Sequence, residues 1–261
     1  MSHASPRRDY SQLVSRLGGA ARQPKTQLQE IGEFEAGGAA CPLYVVLIGE
    51  PAEGKASVMI DAGIHGDEPA GVEAALRFIE SAPAESDLLS RFHFTVFPCN
   101  DPTGWERDTR QNRRGIDLNR QFATRNSEPE VRIISEALQG RCFDLVFEMH
   151  EDVDSPGFYL YEIAENSDEH VAEEIVAAVA KRGHPINTDS LIEGRKADGG
   201  IIRAGIHLKR FRKTRLPLAI FAYRTCDGHV LTLEPPASVL PFEDRVAIEL
   251  MGLRIALDRA R

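Results

Sequence analysis

Short β-branched or aromatic runs alternate along the chain with longer stretches of helical periodicity, and this alternation predicts an α/β fold, a sheet covered by helices on both faces. Several of the runs are apolar almost without interruption, as strands buried on both faces are. The helical stretches repeat apolar residues at three- and four-residue spacing. With 261 residues, 42% of them hydrophobic and 27% charged, the chain has an ordinary globular composition and can bury a substantial core. No internal repeat, low-complexity tract or linker divides it, so one domain is the expectation.

The first 40 residues are polar, contain a helix-like stretch from Tyr10 to Leu17 and end near Gly37-Gly38. They read as an N-terminal appendage, leaving 41–261 as a single α/β domain. Strands are predicted at Leu43–Ile48, Ser57–Ala62, Phe92–Phe97, Phe143–Met149, Phe158–Tyr161 and Val230–Leu233. Helices are predicted at Pro69–Ser81, Glu130–Leu138, Asp168–Lys181 and Phe242–Asp258. The segment Ile192–Pro217, rich in glycine and arginine and weakly periodic, reads as loops near a site or an exposed basic edge.

A formal net charge of −9 argues against a nucleic-acid partner, because phosphate binding needs clustered Lys and Arg. No apolar run approaches the ~20 residues needed to span a bilayer, and Met1–Tyr10 lacks the apolar core of a secretory signal, so neither a membrane partner nor export is expected. The expected location is cytoplasmic. Cys41, Cys99, Cys142 and Cys226 are far apart without CxxC spacing and are predicted to be reduced, buried thiols. No serine or cysteine lies in a nucleophile-elbow pattern. The sequence carries no signal of oligomeric state.

The chemistry-bearing pattern begins in Val58-Met59-Ile60-Asp61-Ala62-Gly63-Ile64-His65-Gly66-Asp67-Glu68-Pro69, which reads as a buried strand, a glycine-containing turn and a helix start. His65 and Glu68 therefore stand at a strand's C-terminal end, the edge where open α/β sheets bind ligands. Three-residue spacing lets an imidazole and a carboxylate meet one metal if the turn is helical, but HxxE alone is weak. A third ligand is available in His150, which closes the apolar run Phe143–Met149. Two histidines and one carboxylate leave a position for water, as catalytic zinc requires, and the imidazoles favour zinc over magnesium. His3, His93, His170, His184, His207 and His229 lack that context and read as surface or structural histidines. Asp61, Glu151 and Asp152 are candidates to orient the ligand imidazoles.

With these blocks in order, the sequence resembles the zinc carboxypeptidase superfamily, which includes the succinylglutamate desuccinylases and aspartoacylases. The resemblance rests on His65-Gly66-Asp67-Glu68, Asn100 to Gly104 leading to Thr109-Arg110, Gly115-Ile116-Asp117-Leu118-Asn119-Arg120-Gln121-Phe122, His150 and Thr232-Leu233-Glu234. It implies a mixed sheet in a single catalytic domain and one zinc ion on His65, Glu68 and His150. It further implies Glu234 as general base, Arg110 polarising the scissile carbonyl, and Asn119 with Arg120 holding a terminal carboxylate. Arg113 and Arg114 are close enough in sequence to compete with Arg110. The implied activity is hydrolysis of the C-terminal amide bond of a small peptide or peptide-like substrate. The alternatives are an N-acyl amino acid deacylase, with an acyl amino acid substrate, and a non-catalytic protein that binds a carboxylate ligand.

Two departures qualify the resemblance. The carboxypeptidases carry a mobile tyrosine upstream of the general base, where this chain reads Arg210-Phe211-Arg212-Lys213-Thr214-Arg215. Tyr159 and Tyr161 could enter from another strand, although packing tyrosines are commoner. Residues 235–261 read as one amphipathic helix, without the β-rich extension of the deacylase branch, which points to a compact enzyme with a more open cleft. The basic residues between Arg195 and Arg215 are compatible with an acidic side-chain preference.

Overall fold

The computed structural model describes residues 8–164, 170–203, 214–226 and 228–260. Asp9 caps α1 (Tyr10–Ala20) by accepting from the Ser11 N–H, and the helix buries Tyr10, Leu13, Leu17 and Ala20. Strands β1 (Thr26–Ala36) and β2 (Ala39–Ile48) form an antiparallel hairpin whose turn, Gly37-Gly38, has φ of +65° and +91°. Then come β3 (Ala56–Ala62), α2 (Pro69–Ser81), α3 (Ser86–Arg91), β4 (Phe92–Phe97), α4 (Pro102–Arg107) and α5 (Pro129–Leu138). The remainder is β5 (Leu145–Met149), β6 (Tyr159–Ile163), α6 (Ala172–Lys181), the short β7 (Leu191–Ile192), β8 (Arg195–Lys196) and β9 (Ile201–Arg203), α7 (Leu218–Cys226), β10 (His229–Glu234) and α8 (Phe242–Arg259).

One mixed eight-stranded sheet runs β1-β2-β4-β3-β5-β10-β6-β9. Its middle, β4-β3-β5-β10, is parallel, and antiparallel pairs flank it at β2–β4 and β10–β6. The alternation of side chains along each strand divides the core in two. Val58, Ile60, Phe147, Leu231 and Leu233 pack under α1, α2, α6 and α8. Met59, Val146 and Val230 pack on the other face with Val131 and Ile134 of α5 and Leu218 and Ala222 of α7. The expected α/β sheet with helices on both faces is thus the observed one.

The differences lie at the edges. Residues 10–36, set apart above as part of an appendage, supply α1 and the sheet strand β1, because Leu13 and Leu17 join the core and β1 pairs with β2 along its length. The segment read as loops from Ile192 contains β8 and β9, while 204–213 lie outside the described residues, as do His3, His207 and the first residues of the predicted helix at Asp168. Cys41 and Cys99 are free, as expected, but Cys142 is disulfide-bonded, which corrects the reading of it as a reduced thiol.

Candidate active site

The turn after β3 is shaped by contacts that leave no room for side chains. Gly63 takes φ of +66°, and the Asn100 and Asp101 N–H groups donate to the Ala62 and Gly63 carbonyls, fastening the turn to the end of β4. Gly66 lies against α4 so closely that a Cβ would come 1.9 Å from the Gly104 carbonyl carbon. Arg8 donates to the Gly66 carbonyl at 2.6 Å and also reaches Trp105 and Asp108. This clamp sets His65 on one side of Gly66 and Glu68, at the start of α2, on the other. His150 leaves the end of β5 with its N–H donating to the Leu233 carbonyl of β10.

His65, Glu68 and His150 converge, all three buried. Glu68 Oε1 is 2.6 Å from His65 Nδ1, and Glu68 Oε2 is 2.7 Å from His150 Nδ1. The imidazole rings are 5.0 Å apart between centroids. Burial pushes the Glu68 carboxyl up, but the two facing imidazoles outweigh it and hold it down at about 2. Two imidazole nitrogens and a carboxylate aimed at one buried point are the donor set of a zinc site. These residues fit the metal.

His65 Nε2, on the far side of the ring, lies 3.4 Å from Asp117 Oδ1. Asp117 is therefore the carboxylate placed nearest to orient the His65 ring, a part the sequence reading gave to other acids. Asp61 accepts instead from Asn100, Glu151 from the Ala70 N–H and Arg245, and Asp152 from Tyr159 and two backbone N–H groups. Asp117 stood within the quoted Gly-Ile-Asp block, but a loop aspartate has no periodicity to reveal its partner. Burial alone would raise its carboxyl, yet His65 and Arg110 hold it well below the usual carboxylate range.

A cavity of about 620 Å³ opens over this cluster, lined by His65, Glu68 and His150 together with Arg110, Asn119, Arg120 and Glu234. Glu234 ends β10 beside His150, and burial pushes its carboxyl well above the ordinary glutamate value. Of the three neighbouring arginines, only Arg110 faces the cavity, with its guanidinium 3.3 Å from Asp117 and 3.6 Å from Glu68. Arg113 packs on the β1–β2 turn at Gly37, and Arg114 pairs with Glu128. Asn119 Oδ1 accepts from the Leu218 N–H, which leaves its Nδ2 as the free donor. Tyr159 and Tyr161 line the wall, their hydroxyls engaged by Asp152 and Glu193, and Arg215 joins them, while Arg210 to Lys213 are outside the described residues.

With that geometry in hand, the sequence comparison is decisive: the profile of the zinc carboxypeptidases matches residues 39–205. The chain belongs to the zinc carboxypeptidase family. That match carries His65, Glu68, Arg110, Asn119, Arg120 and His150; Glu234 lies beyond it. Human carboxypeptidase D is 33% identical over 115 residues, an alignment that takes in 38% of this chain and 8% of that protein. A Shewanella baltica protein provisionally described as a metallopeptidase superposes with a TM-score of 0.80 at 22% identity, covering 97% of this chain and 93% of its own. Carboxypeptidase A from Helicoverpa armigera gives 0.69 at 18% identity, covering 97% of this chain and 73% of its own. At such identities the structural likeness speaks for the fold.

Proposed function

We propose that this zinc carboxypeptidase family member is a metallocarboxypeptidase, hydrolysing the C-terminal amide bond of a small peptide or peptide-like substrate with a free carboxylate, with one zinc ion held by His65, Glu68 and His150. The observation that carries the reading is the convergence of both Nδ1 atoms on the buried Glu68 carboxylate, under a cavity that Glu234 and three polar recognition residues also line. Bound zinc would supply a Lewis acid and a nucleophilic water near neutral pH.

The chain's own residues do the rest. The Glu234 carboxylate takes a proton from the attacking water and passes it to the leaving nitrogen. Arg110 stands beside Glu68 and directs its guanidinium to the carbonyl oxygen as negative charge develops there. Asn119 Nδ2 and the Arg120 guanidinium receive the free carboxylate, the latter through its planar fork. Glu234→Gln is expected to keep its zinc and lose about 100- to 10,000-fold in turnover. Undiminished hydrolysis by that variant would remove Glu234 from the mechanism.

An N-acyl amino acid deacylase would use the same metal, base and arginines. Side-by-side assay of short acyl-peptides and N-acyl amino acids separates the two, and turnover of the latter alone would overturn the peptidase reading. Cytosolic thiols are held reduced, so the redox state of Cys142, disulfide-bonded here, bears on the compartment. Thiol alkylation before and after reduction, on protein trapped directly from cells, decides between the compartments.

A further inference from the structure

Beneath the metal ligands lies a second acidic feature that the proposed mechanism does not use. Asp61 of β3, Glu148 of β5 and Thr232 of β10 stand side by side in the sheet register. Side chains two residues apart on a strand share a face, so Glu148 sits one pleat below His150 and Thr232 one pleat below Glu234. Glu148 and Thr232 both line the cavity, although Glu148 is only 2% exposed. The Thr232 hydroxyl donates to Glu148 Oε2 at 2.5 Å and Asn100 Nδ2 to Asp61 Oδ1 at 2.8 Å. Glu148 Oε1 and Asp61 Oδ2 have no hydrogen-bond donor among the described residues.

Two buried carboxyls in contact are costly, because each loses hydration and each repels the other. Two other buried acids of this protein are matched with cations, Glu162 with Arg203 and Glu151 with Arg245, whereas Glu249, equally buried, has no donor on either oxygen among the described residues and does not line the cavity. At Glu148 and Asp61 no arginine or lysine among the described residues plays that part. The same cavity is also lined by Ile163, Leu216, Ala219 and Ile220, which are apolar. A cavity lined both by aliphatic groups and by a buried carboxyl matches a side chain with a long apolar stem and a charged tip.

Resting on the reading of the cavity as the substrate site, we propose that Glu148, supported by Asp61 and Thr232, selects substrates whose side chain next to the free carboxylate ends in a cation, such as lysine, arginine or another long-chain amine. An apolar side chain there gives the buried carboxyls no donor, and an acidic one brings a further carboxylate against them. This reverses the acidic preference suggested by the basic residues between Arg195 and Arg215. Arg195 and Arg215 do line the cavity, but a substrate with a free carboxylate already gives them an anion to meet.

The test is a calorimetric titration of the zinc-loaded protein with free lysine, arginine, leucine and glutamate, in wild type and Glu148→Gln. Lysine and arginine are expected to bind wild type about tenfold or more tighter than leucine or glutamate, and the variant is expected to lose that preference while retaining its zinc. Leucine or glutamate binding as tightly as lysine overturns the proposal, as does a preference that survives in the variant, or no binding of any of the four. If the variant does not fold, the wild-type order decides alone. None of these readings depends on turnover. A protein that binds the basic amino acids best but cleaves no peptide would refute the peptidase reading and leave this one standing, and one that cleaves leucine- or glutamate-terminated peptides faster than lysine-terminated ones would do the opposite.

Discussion

Glu68 has both oxygens committed to imidazole nitrogens, so its orientation depends on what holds each ring from behind. For His65 the group placed to give that support is Asp117, whose Oδ1 lies 3.4 Å from Nε2. Removing such a support commonly costs about 10- to 100-fold in metal affinity. Asp117→Asn is accordingly expected to weaken zinc binding by about that factor, measured by competition with a chromogenic chelator, and an unchanged affinity would show that the ring is fixed by packing alone. Gly66 makes a sharper demand, since its missing Cβ is what lets the ligand turn lie on the Gly104 backbone. Gly66→Ala must push two backbones apart and is expected to lower stability by about 2–4 kcal/mol, seen as a fall in the thermal midpoint, together with zinc affinity. A variant as stable and as zinc-avid as wild type would contradict the contact.

Among the secondary-structure elements, what the sequence reveals depends on which surfaces each one buries. β3, β5 and β10 are visible as apolar runs because they lie inside the sheet, and their ends locate His65, His150 and Glu234 without any structure. β1 is hidden for the converse reason: at the edge of the sheet it buries Phe34 alone among its residues, so its polar sequence resembles a linker. Its register shift between Glu30 and Gly32 further breaks the period-two pattern. The partners of loop residues such as Asp117 and Cys142 are set by tertiary approach and leave no local trace.

Glu162 of β6 shows how the far elements are joined. It accepts from the Val171 and Ala172 N–H groups leading into α6 and from Arg203 of β9, and it lies 3.2 Å from His229 of β10. Burial would raise its carboxyl, but His229, the Val171 N–H and Arg203 outweigh it and bring it to about 2. The folded value is thus below the unfolded one of about 4.3. Its contribution is complete above that pH and disappears as pH falls towards about 2. Glu162→Gln is expected to lower the thermal midpoint at pH 7 and to flatten its decline across that acid window. An unaltered pH profile of stability would exclude Glu162 as a source of the acid sensitivity.

For the whole molecule, the proposed metal ligands come from the ends of two separate strands, β3 and β5, so anything that binds them binds the folded state preferentially. Zinc at about 100 times its dissociation constant should add about 2.7 kcal/mol to stability, and a chelator should remove it. Differential scanning fluorimetry with and without zinc measures this. A midpoint indifferent to zinc would tell against His65, Glu68 and His150 as its ligands.

The place of β10 in the sheet has a kinetic meaning as well. This strand is the last in chain order, yet it lies between β5 and β6, and His150 is tethered to it through the Leu233 carbonyl. Until it inserts, β5 lacks one neighbouring strand and β6, among the described residues, has β9 as its one strand partner. Such distant strand pairing closes long loops and forms slowly. During refolding, the competence to capture zinc should emerge only with the final phase, after most helical signal has returned, so the metal would serve as a clock for the completion of the sheet.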